Sequence, residues 1–373
     1  MNILIINAGS SSLRLSIIAS NNAKLYEVAA ELYDRHSLHD ENALQDFLEQ
    51  NIATKIDIIA HRFVHGGNHF EAPCLIDDEV LTELEKLSAL APLHNPPALI
   101  LIRLAQTFFN EEMPQIAVFD TMFFHQLPAV AQSYALPSDL VEKYQIRRYG
   151  FHGLAHQYML EQWQQHNPEK SSARVITLQL GSGCSITAIR DGKVIDTSMG
   201  FSPMEGLVMS TRCGDLDPGL ILYLQQQAGL TATELETLLN NQSGLLGLSN
   251  MSKDMRELLE SNFPQAKLAV EVFCYRIKKY LGAYIAAMGG VDAIVFGGGI
   301  GENSSEIRAK VLEGLLFLHI VVDDEQNKNS ADKTFAFHAK NSHVSLWTVP
   351  VNEAFLMARL AQQCSNETLC IQN

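Results

Sequence analysis

Apolar residues fall in short runs along this chain, at Ile3–Ile6, Ile56–Ala60, Ile116–Phe119, Val175–Leu178, Ala293–Phe296 and Ser345–Val349. Each run has strand length, and most are separated by stretches of helical periodicity, which predicts an α/β protein whose sheets are covered on both faces. Helices are expected after Pro96-Pro97, where proline suits the first turn, across Ala266–Met288, and from Glu353 to Gln363 with Asn352 as N-cap. Ligand-binding groups then belong at strand ends.

The segment NAGSSSLRLSII, residues 7–18, does not follow the strand-to-helix plan. After the first apolar run it places small hydrogen-bonding residues, then returns to the period-two alternation of a second strand, so it reads as a hairpin. Residues 175–189, VITLQLGSGCSITAI, repeat this outline: Asn7 aligns with Gln179 and Gly9 with Gly181, at a common offset. Two halves built on one plan, each opening with a hairpin, account for the echo. The boundary is expected near residue 150, at RRYGFHG.

Length and composition support this without changing it. At 373 residues the chain exceeds what a single core normally fills, and 47% hydrophobic with 18% charged residues is ordinary for a globular protein. No apolar stretch approaches the roughly 20 residues that span a bilayer, so no membrane association is expected. The start MNILIINAGS has no basic region or cleavage site and reads as a first strand, which makes a cytoplasmic location the expectation. Six cysteines without C-x-x-C spacing predict reduced thiols rather than a disulfide framework or a zinc site. A formal charge of −15 disfavours nucleic acid, so an anionic ligand must be met by local Arg and His.

Several segments could meet one. NAGSSS exposes backbone N–H groups and hydroxyls, as a phosphate requires, but lacks the G-K-[ST] of a Walker loop. VFGGGIGENSSEIR follows a strand and enters a helical pattern at Ser305, a place where nucleotides lie against backbone. Arg62 and His65 follow the second apolar run, His94 precedes a helix, His152 sits at the proposed junction, and STRCGDLDPG presents Arg212 and Asp215. Asp120 closes the third run. Asn352-Glu353 stands at a strand-to-helix turn, where a carboxylate either caps the helix or shares a Mg²⁺ shell with water and phosphate.

In order, NAGSSSLR, HRFVHGG, APLHNP, VFDTMFH, RRYGFHG, SMGFSPMEGL, STRCGDLDP, GGGIGENS and VNE resemble the acetate kinases and related short-chain acyl kinases, of the sugar kinase, actin and heat-shock chaperone ATPase superfamily. The resemblance implies two actin-like, ribonuclease H-like domains of a duplicated βββαβαβα plan around a cleft. Residues 1–150 plus about 353–373 would form one domain and 151–352 the other. It implies reversible phosphoryl transfer from ATP to a short carboxylate, giving an acyl phosphate and ADP with Mg²⁺, or Mn²⁺ in its place, in a homodimer.

By the same resemblance, Asn7 and Glu353 match the metal positions and Arg62 the carboxylate-binding arginine. Asp120, His152, Arg212 and His94 match the groups around the transferred phosphoryl. Val64, Leu93, Phe151 and Pro203 match an acyl pocket, in which Val64 is the acetate-like choice and makes propionate a weaker substrate. Nucleotide contacts map to Arg14; to Gln179, Leu180, Gly181, Ser182 and Gly183; to Asp254, Met255 and Arg256; and to Gly299, Ile300, Gly301, Glu302 and Asn303. Cations around two anionic reactants agree with these roles, and an acceptor already ionised needs no strong base, so Asp120 is expected to orient rather than remove a proton.

The chain departs from the family where H-L-G-N-G-S-S is usual: Gln179, Ser182 and Cys184 replace His, Asn and Ser. Arg14 stands where Lys is usual, and Leu154-Ala155 follow YGFHG in place of Thr-Ser. An acyl kinase using pyrophosphate, or a nucleotide-binding protein without transfer activity, are the competing expectations.

Overall fold

The computed structural model describes every residue except 10–11, 22–23, 35–39, 92–93, 110–111, 330–332 and 372–373, together with the side chains of 368–371. The chain divides into two compact units. The first comprises Met1–His125, Phe151–Leu154 and Asn352–Asn373; the second comprises Gln126–Gly150 and Ala155–Val351. The segment before residue 150 sides with the second unit because Arg148 and Tyr149 donate their backbone N–H groups to Gln132 O and Gly200 O. Residues 151–154 side with the first, where Gly153 lies against the Asp120 carbonyl.

In the first unit, β1 (Asn2–Ala8), β2 (Ser12–Asn21), β3 (Lys24–Asp34), β4 (Ile58–Phe63), β5 (Cys74–Leu75) and β6 (Gln115–Phe119) form one sheet in the order β3-β2-β1-β4-β6-β5. β1 and β2 are the antiparallel hairpin expected of NAGSSSLRLSII, while β1, β4 and β6 run parallel. β4 starts later than the apolar run suggests, since Asp57 N bonds Asn2 O and its carboxylate accepts Asn2 N at 2.8 Å before sheet pairing begins. It also runs further, so Arg62 lies on the strand rather than after it. Leu4, Ile6, Leu13, Leu15 and Ile17 pack under the helices Asp40–Gln50 and Asn95–Phe108. The helix Glu353–Ile371 packs against β1, β4 and β6, burying Leu356, Met357 and Ala361. Asn352 caps it, its Oδ1 accepting Phe355 N at 3.1 Å.

The second unit repeats the plan with β7 (Arg174–Leu180), β8 (Cys184–Arg190), β9 (Lys193–Thr197), β10 (Ala293–Gly297), β11 (Phe335–Ala336) and β12 (Ser345–Thr348), ordered β11-β12-β10-β7-β8-β9. β7 and β8 are the second hairpin, and β7, β10 and β12 run parallel as β1, β4 and β6 do. A backbone bond closes each hairpin at its glycine: Gly9 N bonds Ser12 O at 2.8 Å, and Gly181 N bonds Gly183 O at 3.1 Å. The long helix Pro264–Met288 buries Phe273, Ile277 and Leu281 and ends on Gly289 at φ +71°. Past β10 the glycine run is itself a short helix, Gly298–Asn303, ahead of the expected helix from Ser305. Gly298 permits this: at φ +75° a Cβ would stand 2.7 Å from Leu180 O.

Candidate active site

Strand register assembles the charged cluster of the first unit. In the parallel pairs, Ile6 lies beside His61 and Phe63 beside Phe119, so Asn7, Arg62 and Asp120 emerge together at the carboxyl ends of β1, β4 and β6. Arg62 grips Asp120 through Nε to Oδ1 at 3.0 Å and Nη2 to Oδ2 at 2.6 Å, while Nη1 donates to Asn7 Oδ1 at 3.1 Å. Asn7 Nδ2 then donates to Glu353 Oε2 at 2.8 Å, at the first turn of the C-terminal helix. Four predicted residues thus form one chain of side chains.

Burial sets the electrostatics of this cluster. Asp120 is fully buried, which lifts its carboxyl above the usual range against the opposing pull of the Arg62 fork and the His152 backbone N–H. For Arg62, burial works against the cation, but Asp120 and Glu353 outweigh it and the guanidinium is held more firmly protonated than usual. A bidentate fork in such surroundings fixes the guanidinium plane. The fork leaves N–H groups on Nη1 and Nη2 that Asp120 and Asn7 do not take.

His152 joins the cluster through its backbone, at φ +59°. Next to it, any side chain on Gly153 would overlap the Asp120 carbonyl oxygen. Val64 and Phe151 are buried, and the Phe151 ring meets His65 at 5.5 Å. His94 takes the N-cap position of the helix Asn95–Phe108. Leu93 lies outside the described residues. Pro203 and Arg212 belong to the second unit, where Arg212 Nη1 donates to Pro203 O at 2.6 Å.

The sequence reading missed Asn95. Fully buried, it accepts His65 N at 3.3 Å and donates to His65 O at 3.2 Å and Leu87 O at 3.1 Å, clamping the segment after β4. Thr121 Oγ1 accepts Gly66 N at 3.0 Å from the next strand end. HNPP carried a signal, an Asn between His94 and two prolines at a helix start.

The glycine turns of the second unit border a cavity of about 680 Å³. Parallel pairing sets Gln179 beside Gly297, so the 181–183 turn and the helix Gly298–Asn303 meet at adjoining strand ends. Gly181, Ser182, Gly299, Ile300 and Asn303 line the cavity on that side, and Asp254, Met255 and Arg256 on another. Ser210, Lys253, Leu259, Glu260 and Ser304 complete the lining and were not foreseen.

Other predicted contacts do not line it. Leu180 and Gly301 are buried, Gly183 O accepts Gly181 N, and Gln179 is half-buried. Glu302 turns inward to accept Gly298 N at 2.8 Å and Val351 N at 3.0 Å, and burial lifts its carboxyl. Arg14 reaches Glu27 at 3.4 Å on the face of β2 and is absent from the lining. Cys184 faces the core: its thiol bonds Gly181 O at 3.2 Å, and burial pushes it up to about 12.

Glu353 and Asn7 offer carboxylate and amide oxygens, a hard donor set that suits Mg²⁺, which keeps several waters and takes phosphate oxygens for the rest of its shell. Among the described residues no group of three or more His, Cys, Asp or Glu forms an all-protein metal cage. The five described cysteines, Cys74, Cys184, Cys213, Cys274 and Cys364, are free thiols, and no described helix is long and apolar enough to cross a membrane.

The chain is similar to known proteins along almost its whole length. Residues 38–359 match the model of the acetokinase family. An acetate kinase of Chloroherpeton thalassium is 40% identical over 98% of this chain and 99% of its own. Two crystal structures superpose across 97% of this chain and 99% of theirs: a propionate kinase from Francisella tularensis, 37% identical with TM-score 0.88, and an acetate kinase from Porphyromonas gingivalis, 34% identical with TM-score 0.87.

Proposed function

The chain belongs to the acetokinase family, and from that premise we propose that it transfers a phosphoryl group reversibly between ATP and acetate, giving acetyl phosphate and ADP, with propionate a weaker acceptor. The observation that carries the assignment is the buried Asp120–Arg62–Asn7–Glu353 chain at three parallel strand ends. Arg62, with its plane fixed by Asp120, binds the acceptor carboxylate through its remaining N–H groups. One carboxylate oxygen forms the new P–O bond as the bond to the ADP oxygen breaks, and no proton moves because the acid is already ionised. Asp120 therefore serves as the holder of Arg62 and not as a base. By the family resemblance His152, Arg212 and His94 are assigned to stabilise charge on the transferring group, where stabilisation is worth most. Glu353 and Asn7 would hold Mg²⁺, which when bound neutralises charge on the donor phosphates.

The nucleotide is assigned to the cavity of the second unit. Met255, Leu259 and Ile300 give it apolar wall that an adenosine covers and pyrophosphate does not, which favours ATP over the smaller donor. Val64, buried in the first unit, supports the acetate preference. A homodimer is part of the proposal: the helix Pro218–Gln227 buries no residue and exposes Leu220 and Tyr223 on one face, which a second copy would cover. A cytosolic location follows from the nucleotide requirement and the free thiols.

A matrix of acetate, propionate and butyrate against ATP, GTP and pyrophosphate, read by hydroxylamine trapping of the acyl phosphate, tests the reading. Acetate with ATP should give the highest kcat/KM, propionate less and butyrate least. Turnover with pyrophosphate, or ATP binding without any acyl phosphate, would overturn it.

A further inference from the structure

Residues 198–217, between β9 and the helix Pro218–Gln227, contain neither strand nor helix, yet Met199, Leu207 and Met209 are buried there. An irregular segment of this length needs side chains to satisfy and fix its backbone. It carries Pro203 and Arg212, so whatever fixes it also fixes them.

Two clamps hold the segment. In the first, Glu205 receives Arg148 Nη2 on Oε1 at 2.5 Å and the Tyr134 hydroxyl on Oε2. Arg148 also donates through Nη1 to Thr197 O at 3.1 Å and Ser198 O at 3.2 Å, and the Tyr134 hydroxyl accepts Phe201 N at 2.8 Å. The two partners thereby grasp the segment's entry and its middle together. Gly200 runs so close to the Glu205 carboxylate and the Tyr134 hydroxyl that any side chain there would overlap both.

In the second clamp, Asp215 accepts Gly206 N at 2.8 Å on Oδ1 and Tyr280 OH at 2.7 Å on Oδ2, closing residues 206–215 into a loop. Within it Met209 N bonds Arg212 O at 3.2 Å, and Ser210 N reaches Ser182 O at 3.1 Å in the glycine turn beside the cavity. Arg212 returns to Pro203 O, two residues before Glu205. Glu205 thus stands where the arm bearing Pro203 meets the loop bearing Arg212.

We propose that Glu205 is a positioning residue for phosphoryl transfer, which through Arg148 and Tyr134 fixes the arm against which Arg212 is set. The side chain has no need to touch substrate: the Arg148 charge holds it in place, and the gain is in the placement of the Arg212 guanidinium. The inference rests on Arg212 acting on the transferred group.

Glu205→Gln keeps the shape and removes the charge that Arg148 and Tyr134 grip. In the full-length protein kcat should fall about 10- to 100-fold, the cost of displacing a catalytic group by an ångström or less. ADP affinity by calorimetry should stay within about two-fold, since no cavity-lining residue changes. The decisive readout is coupling. In an Arg212→Ala background, Glu205→Gln should add less than about a two-fold further loss, because the group it positions is gone. Added guanidinium should restore Arg212→Ala and the double variant equally.

Native kcat in Glu205→Gln, or losses that multiply in the double variant, would overturn the proposal while leaving the Arg212 reading intact. Native kcat in Arg212→Ala would overturn both. Should Glu205→Gln fold poorly, Tyr134→Phe removes a single hydroxyl from the same clamp and should show the same non-additive loss at smaller size.

Discussion

At the scale of single residues, Asp120 is a buried carboxylate whose two oxygens are committed to another side chain. They hold one guanidinium, and an acceptor that is already ionised offers no proton to take. Replacement by Asn keeps one acceptor oxygen, but it removes the charge that compensates buried Arg62 and presents a donor to a cation. Asp120→Asn should therefore lower kcat by about 100-fold or more and raise the acetate KM, by analogy with the removal of one preorganised electrostatic group. Because the cavity proposed for the nucleotide draws on none of these side chains, ADP binding by calorimetry should be unchanged. Near-native kcat in this variant would remove Asp120 from the mechanism.

At the scale of elements, the two hairpins show what a sequence can and cannot reveal. Period-two alternation after NAGSSS excluded a helix, and the structure has β2 there, paired antiparallel with β1 as β8 is with β7. The Asn7–Arg62–Asp120 grouping was legible only through family resemblance, since it depends on parallel register between strands separated by many residues. The carboxyl-end chemistry also differs between the halves. β1 and β4 carry the polar side chains of Asn7 and Arg62, while β7 and β10 run into the glycines Gly181 and Gly298. β4 outruns its apolar run because His61 and Arg62, polar yet enclosed, carry the strand on to Phe63. Side-chain inventories cannot show which glycines are pressed against a neighbour, and Gly153 is the sharpest case. Gly153→Ala must push the Phe151–Gly153 segment off the Asp120 carbonyl. The expected costs are about 1–3 kcal/mol of stability, the usual penalty for overpacking, and a fall in kcat exceeding that in ADP affinity. Denaturant melts and initial rates on one preparation check both, and a fully active, fully stable variant would contradict the packing.

At the scale of the whole molecule, each unit buries a neutral histidine in or beside its sheet, and the two make stability depend on pH in a separable way. His61 on β4 bonds Gln115 at 2.7 Å and is driven down to about 4 by burial. His156 lies between Thr177 at 2.7 Å and Ser185 at 2.8 Å, on β7 and β8, and burial drives it to about 3. Both values lie below the roughly 6.5 of an unfolded histidine, so between about pH 6.5 and 4 the unfolded chain binds more protons than the folded one. Stability must then rise with pH in that window, by up to about 1.4 kcal/mol per pH unit for each histidine, and the effect vanishes above it, where both states are neutral. Carboxyls lifted by burial, such as Asp120 and Glu302, act in the opposite sense at the acidic end, so the raw melting curve mixes the two. Comparison with a variant isolates the histidine. His156→Gln retains a donor and an acceptor for the Thr177 and Ser185 hydroxyls but cannot be protonated, so its stability should fall less steeply between pH 6.5 and 4.5 than that of the native chain. Two units can unfold in separate steps, and in that case only the transition of the second unit should lose its acid sensitivity, leaving that of the first, governed by His61, where it was. An unchanged slope in both transitions would mean that His156 is protonated in the folded protein, with the buried hydroxyls arranged as acceptors around a cation.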